Sequence, residues 1–276
     1  MVDGEAKHST MKTPGKEVLA LIPARGGSKS IPRKNIRLLA GYPLIAYSVA
    51  AGLAATSISR VVVSTDDEEI ALISRSYGAE VPFIRPLEFA QDQTPDLPVF
   101  LHALNWLQEN ENYCPEIVVQ LRPTSPFRNV AFIDKAVNLL LIHPVADSAR
   151  SVCIPFQNPF KMWTIRPDGT LRPLIPDLAL IGLSNGQPGN QVEIYNQPRQ
   201  ALPEVYWQTG YVDAVRSKTI LQKKSMTGDC ILPVIMDPSD WVDIDTPVDW
   251  RRAERMVESG EIDLQSMGIL PRKVTS

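Results

Sequence analysis

The sequence predicts an α/β fold with a doubly wound, mostly parallel sheet. Two observations carry that prediction. Apolar runs of strand length at residues 18–22 (VLALI), 61–65 (VVVST) and 116–121 (EIVVQL) alternate with longer segments of helical period. The runs are apolar almost throughout, as strands covered on both faces are, and each gives way to charged or turn-forming residues. The succession strand, loop, helix, strand, helix at close spacing belongs to an open parallel sheet with helices on both faces.

Composition narrows the class. A chain of 276 residues suits one large domain, or one domain with an appendage. An apolar share of 44% is enough for a substantial core, and 21% charged residues is ordinary for a soluble protein. A net charge of −3 excludes bulk attraction to nucleic acid or to an anionic membrane, so positive charge that matters must be local. No window is apolar enough for a membrane span, and residues 1–16 lack the apolar core of a secretion signal. They read as a polar, disordered leader, and the protein as cytoplasmic. Cys114, Cys153 and Cys230 have no metal spacing and no paired framework, and read as free thiols of a reducing compartment.

The elements follow in order. After the first run, residues 23–35 (PARGGSKSIPRKN) set Gly26 and Gly27 among the cations Arg25, Lys29, Arg33 and Lys34. A buried strand ending in such a loop offers backbone N–H groups and positive charge to a polyphosphate, with glycine allowing close approach. The loop fits neither G-x-x-x-x-G-K-[ST] nor G-x-G-x-x-G, and taken alone it reads equally as a basic surface turn. Pro43 opens a helix through residue 56. Thr65 or Asp66 caps the next helix, with Glu69 placed to complete a capping box, and Gly78 ends it. Residues 81–85 (VPFIR) read as a third short strand. Residues 85–96 read as loop, and 97–110 as an amphipathic helix.

The strand at 116–121 runs into RPTSPFRN (122–129), whose prolines stop regular structure at the edge where open parallel sheets bind ligands. A helix at 131–142 and a strand at 149–154 follow. Residues 155–203 then turn rich in Pro, Gly, Asn and Gln, with a turn at Pro167-Asp168-Gly169, and read as an inserted arm outside the sheet. An arm that cannot bury its own surface predicts a partner subunit. Strand pattern returns at 205–216, with a short helix from 217 and a strand at 230–237. The organisation is a leader (1–16), a main domain (17–154 with 204–276) and an arm (155–203).

The second informative stretch is WVDIDTPVDWRRAERMV (241–257). Alternation in an extended segment puts Asp243 and Asp245 on one face of a strand, with Thr246 as N-cap and Pro247 in the first turn of a helix. Two such carboxylates can share a hard cation such as Mg²⁺ while a substrate's phosphates supply the other oxygens. The bland alternative is a solvated strand end and a cap; the phosphate-loop candidate tips the balance to metal. His8, His102 and His143 have no partner at ligand spacing, and His102, in an apolar helix, reads as core or surface.

Six stretches in order, IPARGGSKSIPRKN, VVVSTDDEEIA, RPLEFAQD, LRPTSPFR, NQPRQALP and DIDTPVDW, closely resemble the CMP-N-acylneuraminate synthetase family over residues 18–256. The resemblance implies a Rossmann-like nucleotidyltransferase fold with a dimerisation arm. It implies a Mg²⁺-dependent cytidylyltransferase that moves CMP from CTP to the 2-hydroxyl of a sialic-acid-like 2-keto-3-deoxy sugar acid. By resemblance, Arg25, Gly26, Gly27, Ser28, Lys29, Asn35 and Arg85 hold the nucleotide, and Lys34 stands near the reacting phosphate. Arg122, Thr124, Ser125, Lys161, Arg199 and Thr209 fall at substrate positions, Arg199 at the acidic sugar and Lys161 on an arm reaching the neighbouring subunit. Asp243 and Asp245 match the Mg²⁺ ligands, and Arg25, Lys34 and Asp245 are the catalytic candidates.

Three positions depart from sialic acid members of that family. Arg122 stands for Gln, Thr209 for Asn, and Asp96 for a serine expected near the nucleotide. The first two lie on the sugar side and put N-acetylneuraminate itself in doubt. Arg122 could grip a carboxylate bidentately or a phosphate on another acceptor. The alternatives are a nucleotidyltransferase acting on a sugar 1-phosphate, and a nucleotide-binding protein without chemistry.

Overall fold

The computed structural model describes residues 17–176 and 193–269; the leader and part of the arm fall outside the described residues. The chain begins with β1 (Val18–Pro23), the small ribbon β2 (Leu38–Leu39) and β3 (Tyr42–Pro43), then α1 (Leu44–Ala54), β4 (Arg60–Ser64) and α2 (Glu68–Ser76). It continues through α3 (Asp96–Glu111), β5 (Ile117–Gln120), α4 (Val130–Ile142) and β6 (Ser148–Cys153). The hairpin β7 (Trp163–Ile165) and β8 (Leu171–Pro173) follows, then β9 (Trp207–Arg216), α5 (Ser217–Leu221), β10 (Ile231–Ile235) and α6 (Pro247–Glu258).

Six strands form the main sheet in the order β10-β6-β9-β5-β1-β4. β1 lies parallel to β4 and β5, and β10 parallel to β6, while β9 runs antiparallel between β5 and β6. The sheet is therefore mostly parallel, with one reversed strand at its centre. Alternation along β1 divides the core. Val18, Ala20 and Ile22 face a layer that includes α1 and α4, whereas Leu19 and Leu21 face α3 and α5. A third apolar cluster positions the site. Ile31 from the loop after β1 packs with Val242, Ile244 and the α6 residues Trp250, Ala253 and Met256. The two informative stretches of sequence are thus held together by their apolar residues, leaving the charged neighbours to face outward.

Three local expectations are corrected. Residues 81–85 form no strand: Glu80 makes a single bridge to Val62, and Pro82, lacking an N–H, cannot extend the ladder. The cap of α2 is Asp67, which accepts from Ile70 N at 3.0 Å, rather than Thr65 or Asp66; Glu69 instead pairs with Arg33. Residues 241–245 are extended but join no sheet; they are fixed by Ile244 N donating to Thr124 O at 2.8 Å. The Thr246 cap does form, as a capping box with Asp249, and Asp249 also accepts from Asp245 N at 3.2 Å.

Among the described residues, 155–206 add no strand to the main sheet. The β7–β8 hairpin stands apart, turned at Gly169 with φ +82°. No helix among the described residues is long and apolar enough to cross a membrane.

Candidate active site

The C-terminal ends of β1, β4 and β5 open onto a cleft of about 450 Å³. Its wall includes Arg25, Ser28, Lys29, Lys34 and Asn35 from the first loop, Arg85 from the segment between α2 and α3, Arg122 and Thr124 after β5, and Asp245. Nine of the residues singled out in the sequence therefore share one space. Gly26 and Gly27 are not part of its lining; Gly26 N donates to Asp66 at 3.0 Å, fixing the turn, and Gly27 is exposed.

Each cation of the loop has a carboxylate. Arg25 donates to Asp92 at 2.7 Å, and Lys29 pairs with the same residue. Lys29 and then Arg25 hold the Asp92 carboxyl below its usual range. Arg33, in the left-handed region at φ 56°, is claimed by Asp67 and Glu69. Lys34 is buried, donating to Ile244 O at 2.9 Å and to Asp245 at 3.2 Å. Asn35 donates to Arg25 O at 2.9 Å and so braces the loop. Arg85 is 4% exposed, 3.6 Å from Asp66, with Nε unpartnered among the described residues. Burial lowers the pKa of Arg85, and an incoming anion would offset that desolvation.

Asp243 and Asp245 flank the anchored Ile244. Burial raises the Asp243 pKa, the Thr124 hydrogen bond opposes that, and the neighbouring Asp245 charge adds to it. A second positive charge would favour the ionised pair. No cluster of three or more His, Cys, Asp or Glu suited to a metal occurs among the described residues, so a cation here would draw its remaining oxygens from a ligand. The donor chemistry fits Mg²⁺ in that form.

Other predicted residues lie elsewhere. Ser125 is buried, with its backbone N–H donating to Arg122 O. Thr209 is buried too: its hydroxyl donates to Ser151 Oγ at 2.8 Å, serving the register shift between β6 and β9. It does not face the cleft, so the Thr209 departure from the family pattern acts within the sheet. Lys161 Nζ donates to Gln197 O at 2.8 Å, and Arg199 Nη2 to Pro155 O at 3.2 Å. Arg199 lines a separate cleft of about 190 Å³ at the base of the arm. Arg122 is not a free cation. It reaches Asp96 at 2.9 Å and Asp213 at 3.1 Å; burial alone would lower its pKa, and Asp96 and then Asp213 reverse the sign.

Sequence reasoning missed Asp92, Asp213 and Arg128. Asp92 was visible only as charge balance, since clustered cations without a ligand need counter-ions. Arg128 is buried, donating to Ser48 Oγ at 2.7 Å and to the Arg122 carbonyl, and burial pushes it down to about 10. Its place behind the 122–129 loop carries no sequence signal beyond the arginine itself.

An α/β sheet with a cationic loop and Asp245 lining one cleft, and Asp243 two residues from it beside Thr124, fits the class of a nucleotide-binding transferase. The comparisons make it particular. A model of the cytidylyltransferase family matches residues 19–155. The CMP-N,N'-diacetyllegionaminic acid synthase of Legionella pneumophila subsp. pneumophila is 33% identical over 243 residues, covering 87% of this chain and 96% of that protein. The N-acylneuraminate cytidylyltransferase of Escherichia coli O18:K1:H7 is 30% identical over 86% of this chain and 51% of its own length. The solved structure of a CMP:2-keto-3-deoxy-manno-octonic acid synthetase complexed with CTP superposes with a TM-score of 0.62, at 15% identity, covering 88% of this chain and 99% of that one. The chain belongs to the cytidylyltransferase family, among its CMP-nonulosonic acid synthetases.

Proposed function

We propose that this protein transfers CMP from CTP to the 2-hydroxyl of a nonulosonic or related 2-keto-3-deoxy sugar acid, releasing pyrophosphate, with Mg²⁺ as cofactor. The observation that carries this reading is the convergence of Arg25, Lys29, Lys34, Arg85 and Asp245 on one cleft. The acceptor hydroxyl gives up its proton to a carboxylate of the cleft as its oxygen attacks the α-phosphorus; the bond from that phosphorus to the bridging oxygen breaks and pyrophosphate leaves. Arg25 and Lys29 exchange Asp92 for phosphate oxygens and offset charge on the departing pyrophosphate. Lys34, fixed by Ile244 O, keeps a positive charge beside the reacting phosphorus. Asp243 and Asp245 would hold Mg²⁺, which when bound would supply positive charge to offset that of the phosphates. Positioning and electrostatics therefore supply most of the rate.

The Arg122 ion pairs disfavour the sugar 1-phosphate alternative, because its partner Asp213 is buried and cannot swing away as the exposed Asp92 can. We extend the reading to a homodimer formed through the arm. The exposed apolar side chains Trp163, Ile165, Leu171 and Leu174 support it, together with the placement of Lys161 and Arg199 outside the cleft of their own chain. The protein is read as acting in the cytoplasm, where CTP is made. The test is pyrophosphate release with CTP, Mg²⁺ and a panel of eight- and nine-carbon keto acids, including N,N'-diacetyllegionaminic acid. Release with at least one acid is expected. Release with no acid but with a sugar 1-phosphate overturns the reading.

A further inference from the structure

Arg122 sits in a built cradle. Its Nη1 donates to Asp213 at 3.1 Å and to Gly210 O at 3.4 Å; its Nη2 donates to Asp96 at 2.9 Å and to Gln120 Oε1 at 3.2 Å. Gly210 has φ +67°, and a Cβ there would stand 2.8 Å from Nη1, so the guanidinium fills the space that a side chain would take. Asp213 is 2% exposed in the middle of β9, and its other oxygen accepts from Arg150 Nε at 2.9 Å. Arg150 in turn donates to Gln208 at 3.0 Å. Two arginines and two carboxylates thus form a neutral ladder running from the reversed strand to the cleft wall.

A buried charge is a poor source of net stability, because desolvation cancels much of the Coulomb gain. What a buried carboxylate provides well is a fixed direction for its partner. We propose that Asp213 is a positioning residue that, with Gly210, fixes Arg122 against Asp96 and so shapes the acceptor end of the cleft. The wall it presents is a hydrogen-bonding ion pair without surplus charge. Such a wall suits hydroxyl and acylamino substituents of the acceptor and offers nothing to a second phosphate. Asp96 and Arg122, two separate departures from the sialic acid pattern, are then one compensated unit. The proposal rests on the acceptor reading given above.

The test compares wild type, Asp213→Asn, Arg122→Gln and the double variant. Rates are measured with CTP, Mg²⁺ and whichever acid of the panel wild type turns over. A crystal structure of ligand-free Asp213→Asn completes the set. Asp213→Asn is expected to raise the acceptor KM about tenfold, the loss of one charge-assisted hydrogen bond to Arg122. The KM for CTP and kcat should stay within roughly twofold, and the same substitution should add less than about twofold once Arg122 is Gln. The structure should show Arg122 turned away from Asp96. An equal rise of both KM values, an effect independent of Arg122, or an unmoved Arg122–Asp96 pair overturns the proposal. Failure of wild type with every acid would instead overturn the acceptor reading, and the crystal structure would still decide the role of Asp213.

Discussion

Lys34 Nζ stands 3.2 Å from a carboxylate oxygen of Asp245, a residue 211 positions further along the chain. The same ammonium donates to the carbonyl of Ile244 at 2.9 Å. Because Ile31 and Ile244 belong to one apolar cluster, the contact is set by packing beneath it and not by the surface charges alone. The cationic loop and the acidic pair therefore meet in a fixed geometry before any ligand arrives.

Asp245→Ala tests what that meeting is for. The Asp245 side chain is 69% exposed, and an exposed ion pair contributes at most about 1 kcal/mol to stability. The melting temperature should hardly move. If the carboxylate serves the metal as proposed, turnover should fall by about a hundredfold or more. Calorimetry and a pyrophosphate assay read the two quantities. Wild-type turnover in this variant at saturating Mg²⁺ would remove Asp245 from the mechanism.

The two glycines of the loop should respond differently to alanine. A Cβ at Gly26 would lie 2.7 Å from Asp67 Oδ2, and Asp67 cannot easily retreat because it caps α2 and binds Arg33. A Cβ at Gly27 meets nothing within 4 Å. Gly26→Ala should displace the loop and weaken CTP binding about tenfold or more, as measured by titration calorimetry, while Gly27→Ala stays close to wild type. Equal effects at the two positions would mean that the loop adapts to its occupant.

Much of this was legible in the sequence, for reasons that particular residues make plain. β1, β4 and β5 announced themselves because strands covered on both faces have few polar residues, and Thr246 and Pro247 because a cap and a first-turn proline are local devices. That the cationic loop meets the acidic pair was inferred from their complementary phosphate and metal chemistry and then from the family likeness, since no local rule links residues so far apart as Lys34 and Asp245. The Arg122 ladder was hidden for a different reason. Asp213 reads as a polar interruption in a strand until β9 is placed antiparallel beside β5, with Asp213 opposite Gln120. The strand expected at 81–85 failed because its β-branched and aromatic content outweighed Pro82 in the reading, whereas in the fold the missing N–H decides.

Chelation separates a catalytic metal from a structural one. Asp243 and Asp245 are the two carboxylates proposed for the cation, and no group of three or more His, Cys, Asp or Glu suited to a metal occurs among the described residues. EDTA should therefore abolish pyrophosphate release, and added Mg²⁺ should restore it. The unfolding midpoint in the absence of nucleotide should stay where it was, because folding does not depend on the ion. A midpoint that drops on chelation would indicate a metal bound into the fold itself.

Asp147 should make the fold sensitive to acid at one identifiable point. It is 3% exposed and accepts from Lys223 Nζ at 2.8 Å, Asp229 N at 2.9 Å, Cys230 N at 3.1 Å and Thr219 Oγ1 at 3.2 Å. These bonds tie the loop between α5 and β10 to the start of β6. Lys223 is the largest cause, followed among the favourable contacts by the backbone N–H donors, of a carboxyl held well below its usual range. A folded-state pKa below the unfolded value stabilises the protein above the unfolded pKa, about 4, and that stabilisation is lost as pH falls toward the folded one. Asp147→Asn should cost about 2–3 kcal/mol at pH 7, because it leaves donors facing an amide and Lys223 without its buried partner. Urea unfolding of both proteins between pH 7 and pH 3 reads the difference, which should narrow below about pH 4 as the unfolded chain takes up a proton that the folded Asp147 does not. A gap that stays constant across that range would mean that Asp147 holds the loop by shape, with its ionisation irrelevant.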